Sequence, residues 1–142
     1  MQCLKARKGQ ALIEAVIIMN VMLMLFFAMI LFSVYVYDKM IVVFAANLAI
    51  DEAIGKLPEP GMLPHKVELL MKTSASGALN LGIFLVDKSV VPRITVPSSG
   101  SGSGTIRITV SAKYSIHMPF VSTFLNNNVL SHTSIVDYSW GT

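Results

Sequence analysis

A long apolar segment that follows a short basic leader constrains this chain most. The leader carries three basic residues, Lys5, Arg7 and Lys8. It ends at Gly9, and the range Ala11–Tyr37 holds a single charged residue, Glu14. A bilayer core about 30 Å thick needs about 20 apolar residues, so this segment is long enough to span a membrane. A carboxylate at membrane depth costs about 2.5–3.5 kcal/mol even on lenient insertion scales, so Glu14 needs a compensating role.

The leader charges predict the orientation of this segment. Because basic residues stay on the cytoplasmic side, the N-terminus is expected in the cytoplasm and the rest of the chain outside. The apolar range is longer than the 7–15 residues, roughly, of an ordinary secretory signal, and no small-residue cleavage site follows it. We therefore expect a single-pass protein of the cytoplasmic membrane.

Composition excludes several classes of protein. Charged residues make up 13% of the chain, against about 25% in an average soluble protein. The net charge is only +3, and the basic residues form no stripe with interleaved aromatic residues, so no nucleic-acid partner is expected. The sole cysteine, Cys3, allows no intrachain disulfide, and we interpret it as a dispensable cytoplasmic thiol.

Helical character continues beyond the membrane segment. Asp38 and Lys39 mark the expected membrane surface, and Met40–Ile54 contains neither glycine nor proline. Gly55 and Pro58 then predict the end of the helix. A helix over residues 10–56 is about twice as long as the membrane core is thick, which a plain anchor does not need.

The second half of the chain predicts a short helix and a small sheet. Residues His65–Leu81 favour an amphipathic helix with three apolar residues on one side: Val67, Leu70 and Met71. Short strands are predicted at Gly82–Val86 and Arg93–Val96, and the Gly-Ser tract 98–104 is interpreted as a hairpin loop.

Two longer strands complete the predicted sheet. Thr105–Ile116 alternates apolar and polar residues with the period of a half-buried strand, and Val129–Trp140 is predicted to be the last strand. We expect three or four antiparallel strands whose apolar face packs on the long helix and covers Phe44 and Leu48. The predicted fold class is α+β: a long N-terminal transmembrane helix that forms a rod, followed by a small antiparallel β-sheet head. The domains are then 1–9 (leader), 10–56 (helix) and 57–142 (head).

Residues with catalytic potential are scattered along the chain. The three histidines, His65, His117 and His132, have no metal-ligand spacing. Asp51 and Glu52 are expected to face solvent, and Asp87 and Asp137 to lie at turns or edge strands. The sequence therefore predicts no enzyme, no metal or other cofactor and no small-molecule substrate.

Glu14 has two interpretations. It lies about one turn inside the apolar segment, so its carboxyl group can reach the cytoplasmic interface by snorkelling. Alternatively, cleavage after Gly9 makes Gln10 the first residue and Glu14 the fifth. A free α-amino group is mostly cationic at neutral pH, so the carboxylate of one subunit would meet the amine of its neighbour and fix their register.

The segment Lys8-Gly9-Gln10-Ala11-Leu12-Ile13-Glu14 resembles the class III signal of type IV pilins and pseudopilins. It is most similar to the opening of TadE-like pseudopilins of tight-adherence pilus systems. The resemblance implies that a prepilin peptidase cuts between Gly9 and Gln10 and that Glu14 guides assembly. The family often has Phe or Tyr where this chain has Ala15, and classical pilins begin their mature chain with Phe.

The resemblance implies a minor pseudopilin that is incorporated in, or primes, a Tad-type pilus or a related secretion apparatus. Its expected partners are the membrane, the prepilin peptidase and other pilin or pseudopilin subunits, with an assembly platform and an ATPase acting indirectly. Two alternatives remain open from the sequence. One is a major type IV pilin, and the other is an uncleaved signal-anchored protein with an extracytoplasmic binding domain.

Overall fold

The computed structural model describes residues 2–57, 63–95, 102–115 and 129–140. The described residues form helices α1 (Gln2–Lys56) and α2 (Pro64–Leu79) and strands β1 (Leu85–Thr95), β2 (Gly102–Tyr114) and β3 (Val129–Trp140). The strands form one antiparallel sheet in the order β1-β2-β3. The predicted α+β class, with a long N-terminal helix followed by a small antiparallel sheet, is confirmed.

Contacts divide the chain into two units, residues 1–36 and 37–142, and α1 contributes to both. In the first unit, every side chain from Gln10 to Ile30 is exposed. Among the described residues, α1 is the one helix long and apolar enough to cross a membrane. It ends at Lys56, next to the glycine that predicted its end. The domain boundaries 1–9, 10–56 and 57–142 stay a prediction.

The second unit has its own buried core. From α1 it buries the single charged residue Asp38 and seven small or aliphatic residues: Ile41, Val42, Ala45, Ala46, Ala49, Ile50 and Ala53. The expectation that packing covers Phe44 is wrong. Phe44 is 51% exposed because it lies on the side of α1 away from the alanines, which have no large side chain to hold a neighbouring element at a distance. Leu48 is half-buried.

Helix α2 and the sheet supply the rest of this core. Val67 and Met71 are buried as expected, whereas Leu70 is half-buried. Strand β2 buries alternate apolar residues: Ile106, Ile108, Val110 and Ala112. This alternation gives the sheet one buried face and one exposed face.

Strand β1 corrects the prediction of two short strands at Gly82–Val86 and Arg93–Val96. One strand, β1, joins the end of the first range, from Leu85, to the second, and Gly82, Ile83 and Phe84 precede it. Its register shifts between Val86 and Ser89, where Asp87 has φ 48°. Asp tolerates the left-handed backbone conformation that this bulge requires. Proline, which has no N–H group to donate, is compatible with an edge strand such as β1. In a sequence, Asp and Pro both argue against the interior of a strand, so the two short ranges were not joined.

The other strands lie close to their predicted positions. Strand β3 has the predicted bounds, and β2 begins three residues early, at Gly102, so part of the Gly-Ser tract is strand. Strand β2 ends at Tyr114, so Ser115 of the predicted strand is not part of it, and its predicted end at Ile116 lies outside the described residues, as do residues 96–101 and 116–128.

Gly104 in β2 is held against its neighbours. A Cβ atom built on it would lie 2.6 Å from the Tyr138 hydroxyl oxygen and 2.7 Å from the carbonyl oxygen of Thr95. Only a residue without a side chain fits between these two neighbouring strands without a shift of the backbone.

The two outer strands are tied to the helices by side chains. The Glu68 carboxylate of α2 accepts a hydrogen bond from the backbone N–H of Ile94 at 3.0 Å, on the edge strand β1. The Lys39 ammonium group of α1 donates to the backbone carbonyl of Ser131 at 2.8 Å, on the edge strand β3. These contacts satisfy backbone groups that an edge strand otherwise leaves unpaired.

Candidate assembly site

The predicted processing junction lies on a continuous helix. Helix α1 starts at Gln2, so Gly9 and Gln10 both have helical backbone. Only the backbone of residues 2–9 is described, so the side chains of Cys3 and of the leader residues Lys5, Arg7 and Lys8 lie outside the described part of the chain.

Gln10 and Glu14 share one face of α1. They are four residues apart, which places their Cβ atoms about 5–6 Å from each other on adjacent turns. Both side chains are exposed, and Glu14 has no hydrogen-bond or ion-pair partner among the described residues. The carboxylate is therefore available to a cation from outside this chain.

The surface around Glu14 is apolar and uncovered. Leu12, Ile13 and Ile17 are 67%, 63% and 58% exposed. An apolar surface of this length is covered in the working protein by lipid or by other helices. In such apolar surroundings the dielectric constant is low, so a carboxylate is costly when unpaired and is strongly attracted to a positive charge.

Asp38 is the second notable acid of α1, and sequence reasoning placed it only at the membrane surface. Its side chain is completely buried. One carboxylate oxygen, Oδ1, accepts a hydrogen bond from the backbone N–H of Ile83 at 2.8 Å, and Oδ2 accepts one from that of Phe84 at 3.2 Å. Asp38 thus fixes the turn between α2 and β1 to the long helix.

A signal for this role was present in the sequence. Asp38 lies at helical spacing from Val42, Ala45 and Ala49, on the stripe of α1 that is buried in the second unit. An acid on a stripe of small residues needs internal donors, since no water reaches it. The backbone N–H groups that satisfy it belong to a turn far along the chain, and no local pattern identifies them.

Two of the three histidines lie in the described part of the chain, on different elements. His65 is exposed on α2 and His132 is half-buried on β3, while His117 lies outside the described residues. Within the described residues, no three His, Cys, Asp or Glu side chains come close enough together to hold a metal ion.

Two predicted solvent-facing acids on α1 differ from each other. Asp51 is exposed, as expected. Glu52 is half-buried and accepts a hydrogen bond from the Ser74 hydroxyl group at 3.4 Å, which links α1 to α2.

The acids of the sheet have structural partners. Asp87, at the β1 bulge, forms an exposed ion pair with Lys113 at 3.0 Å. Asp137 on β3 accepts a hydrogen bond from the Thr105 hydroxyl group at 3.0 Å. Both lie on an edge strand, as the sequence suggested.

Comparison with known proteins finds a similarity in the N-terminal segment. Residues 9–50 match the model of a family described as TadE-like protein. Proteins of this family are pilin-like and generally structural, not enzymatic. The long apolar helix is consistent with single-pass membrane anchoring. Neither a curated protein nor a solved structure matches the chain.

Proposed function

We propose that this chain, a TadE-like family protein by its residues 9–50, is a minor pseudopilin of a Tad-type pilus or a related secretion apparatus. A prepilin peptidase removes residues 1–9, and the mature chain leaves the membrane to join, or to prime, a helical assembly of subunits. The observation that carries this proposal is Glu14: an exposed carboxylate without a described partner, on an uncovered apolar helix, inside the segment that matches the family.

Cleavage after Gly9 changes the electrostatic position of Glu14. In the full chain α1 starts at Gln2, so Glu14 lies several turns inside the helix. After cleavage Glu14 lies at the end of the first turn, where the helix dipole stabilises a carboxylate by about 0.3–1 kcal/mol. The new α-amino group of Gln10 adds a positive charge at the same end.

An assembly offers Glu14 a better partner than lipid does. The carboxylate of one subunit pairs with the N-terminal amine of the next. In a low dielectric, two opposite charges have a much lower free energy as a pair than when each is left unpaired. The pair selects one register between neighbouring helices. The apolar surface only exchanges lipid for protein, which gains little, so extraction from the bilayer requires the work of a cytoplasmic ATPase acting through a membrane platform.

Substitution of Glu14 tests the proposal. Glu14→Ala and the isosteric Glu14→Gln are expected to be cleaved normally but to be incorporated into the fibre or apparatus at least about tenfold less, because an unpaired buried amine costs more than the 1.4 kcal/mol that a factor of ten represents. Processing is measured by the mass of the membrane-bound chain, and incorporation by its amount in the sheared-fibre fraction. Normal incorporation of both variants would show that Glu14 is a snorkelling acid. The copy number along purified fibres then distinguishes a minor from a major subunit.

A further inference from the structure

The exposed face of the sheet carries two unpaired arginines side by side. Arg93 on β1 is directly opposite Arg107 on β2, and Arg107 is opposite Ile135 on β3. Both arginines are exposed, and neither has a hydrogen-bond or ion-pair partner within the described part of the chain. Like charges directly opposite each other destabilise a sheet, so this pair works against the isolated fold.

Two exposed apolar residues lie on the same face as the two arginines. Val91 is 59% exposed and Ile135 is 51% exposed on the same face. The carboxylates of this part of the chain have other partners: Asp87 pairs with Lys113, Asp137 accepts from the Thr105 hydroxyl group, and Glu68 accepts from the backbone N–H of Ile94. The face therefore presents two guanidinium groups with an exposed apolar residue on each outer strand, and a complementary surface needs an acid close to large apolar groups.

Such a surface exists on the same unit of the chain. The side of α1 away from the core exposes Met40, Phe44 and Ile54, at 65%, 51% and 45%. Asp51 lies on the same stripe, is exposed, and has no described partner. We call the residues Met40, Phe44, Asn47, Asp51 and Ile54 the outer stripe of α1.

The two surfaces also match in spacing. Phe44 and Asp51 are seven residues apart, which is about 10 Å along a helix. The row from Arg93 through Arg107 to Ile135 crosses two strand spacings, again about 10 Å. A helix laid across the strands therefore brings its acid to the arginines when its aromatic residue reaches the isoleucine.

We propose that the outer stripe of α1 in one copy of this chain packs on the exposed sheet face of a second copy, with Phe44 against Ile135 and Asp51 at the Arg93 end of the row, where the long side chains of both Arg93 and Arg107 reach it. The two surfaces differ, so the contact is heterologous and joins copies in series instead of closing a dimer. It rests on the proposed assembly role, for which it supplies a contact outside the apolar N-terminal segment.

Site-directed cross-linking tests this contact in membranes from cells that carry the full chain. In a Cys3→Ser background, one tagged copy carries Asn47→Cys and a second copy, with another tag, carries Thr109→Cys, on the exposed face two residues from Arg107. A short bismaleimide is expected to join the two tags. Asp51→Arg should reduce the yield about tenfold, because it places a third positive charge next to the two arginines. Arg107→Asp in the second copy should then restore the yield.

The controls separate this contact from other occupants. Lys72→Asp, which reverses an exposed charge on α2, should not restore the yield. Cross-links between two Asn47→Cys copies at equal or higher yield would show that helix stripes pair with each other and would overturn the proposal. The proposal would also be overturned if Asp51→Arg left the cross-linking yield unchanged while dissolving the membrane abolished it. That result would assign the two arginines to lipid phosphates.

The same samples distinguish failure of this contact from failure of the proposed function. Leader removal is read from the mass of each tagged chain. Normal leader removal without cross-links refutes the contact alone. Cross-links between chains that all retain the leader support the contact and refute processing as a pseudopilin.

Discussion

Removing the Asp38 carboxylate is expected to loosen the turn that precedes β1. Asp38 is completely buried, and both of its oxygens accept hydrogen bonds from backbone N–H groups, those of Ile83 and Phe84. The variants Asp38→Ala and Asp38→Asn remove these bonds to different extents. The first leaves no acceptor, whereas the second keeps one oxygen and turns an amide nitrogen, which cannot accept, toward the other N–H group.

The magnitude follows from the two bonds. A hydrogen bond to a charged group contributes about 1.5–3 kcal/mol, and relief from burying the carboxylate offsets part of the sum. We expect Asp38→Ala to lower the free energy of unfolding of the second unit by about 2–4 kcal/mol, and Asp38→Asn by about 1–3 kcal/mol. If the loss is felt as local opening, the backbone amides of Ile83 and Phe84 exchange about 30- to 700-fold faster in Asp38→Ala.

Two measurements on the full chain in detergent micelles check this expectation. Hydrogen exchange read by mass spectrometry reports on the peptide that spans Ile83 and Phe84, and urea unfolding followed by circular dichroism reports on the sheet. Asp51→Ala is the matched control, since Asp51 is an exposed acid on the opposite side of the same helix, and its effect should stay within about 0.5 kcal/mol.

The reasoning would be refuted by an Asp38→Ala chain that unfolds within about 0.5 kcal/mol of the parent and keeps slow exchange at the turn. That result would mean that other groups satisfy the two N–H donors equally well. A uniform increase in exchange across α2 and all three strands, with no excess at the turn, would instead assign Asp38 to the stability of the whole unit.

Two further substitutions test the packing of the second unit. Gly104→Ala should lower the midpoint of urea unfolding, because its Cβ atom would lie 2.7 Å from a backbone oxygen, whereas Gly77→Ala has nothing within 4 Å and should raise stability by up to about 1 kcal/mol within its helix. Equal effects of the two glycine variants would contradict the close approach at Gly104. Ala49→Leu should lower the free energy of unfolding by about 1–3 kcal/mol, since Ala49 is fully buried. Asn47→Leu, on the exposed side of α1, should be close to neutral in the same urea assay. A larger loss for Asn47→Leu than for Ala49→Leu would contradict the assignment of the alanine side of α1 to the core.

The elements with strong periodic signals were predictable from the sequence. The alternation of Thr105–Ile116 indicates most of β2, β3 has its predicted bounds, and α1 ends one residue after Gly55. Strand β1 was not predictable as one element, because Asp87 in a bulge and Pro92 at an edge are locally signals against a strand. The strand continues through Asp87 and Pro92 because it pairs with β2, and this pairing depends on residues distant in the sequence.

The buried side of α1 shows a second limit of sequence reasoning. Phe44 is the more hydrophobic candidate for the core, yet the alanine side is buried, because close approach of the neighbouring elements favours small residues. Asp38 was hidden for a related reason. Its partners are two backbone N–H groups 45 and 46 residues away, and backbone donors leave no trace in side-chain patterns.

Glu14 and Gly9 were singled out by their place at the start of the apolar segment and by the resemblance of that segment to a pilin signal. The structure adds that the Glu14 carboxylate is exposed without a described partner and that both residues lie on one continuous helix. Their roles in assembly and cleavage depend on molecules outside this chain, so these roles stay proposals.

The N-terminal residue of the chain recovered from cells is the most direct test of the proposed function. Mass spectrometry of the membrane-bound protein is expected to find Gln10 as the first residue in the parent. The leader should be retained in a Gly9→Val variant, because a side chain at that position would crowd the peptidase. Recovery of the parent chain with Met1 or Gln2 still at its start, in cells whose peptidase processes other pilins, would contradict the assignment as a processed pseudopilin.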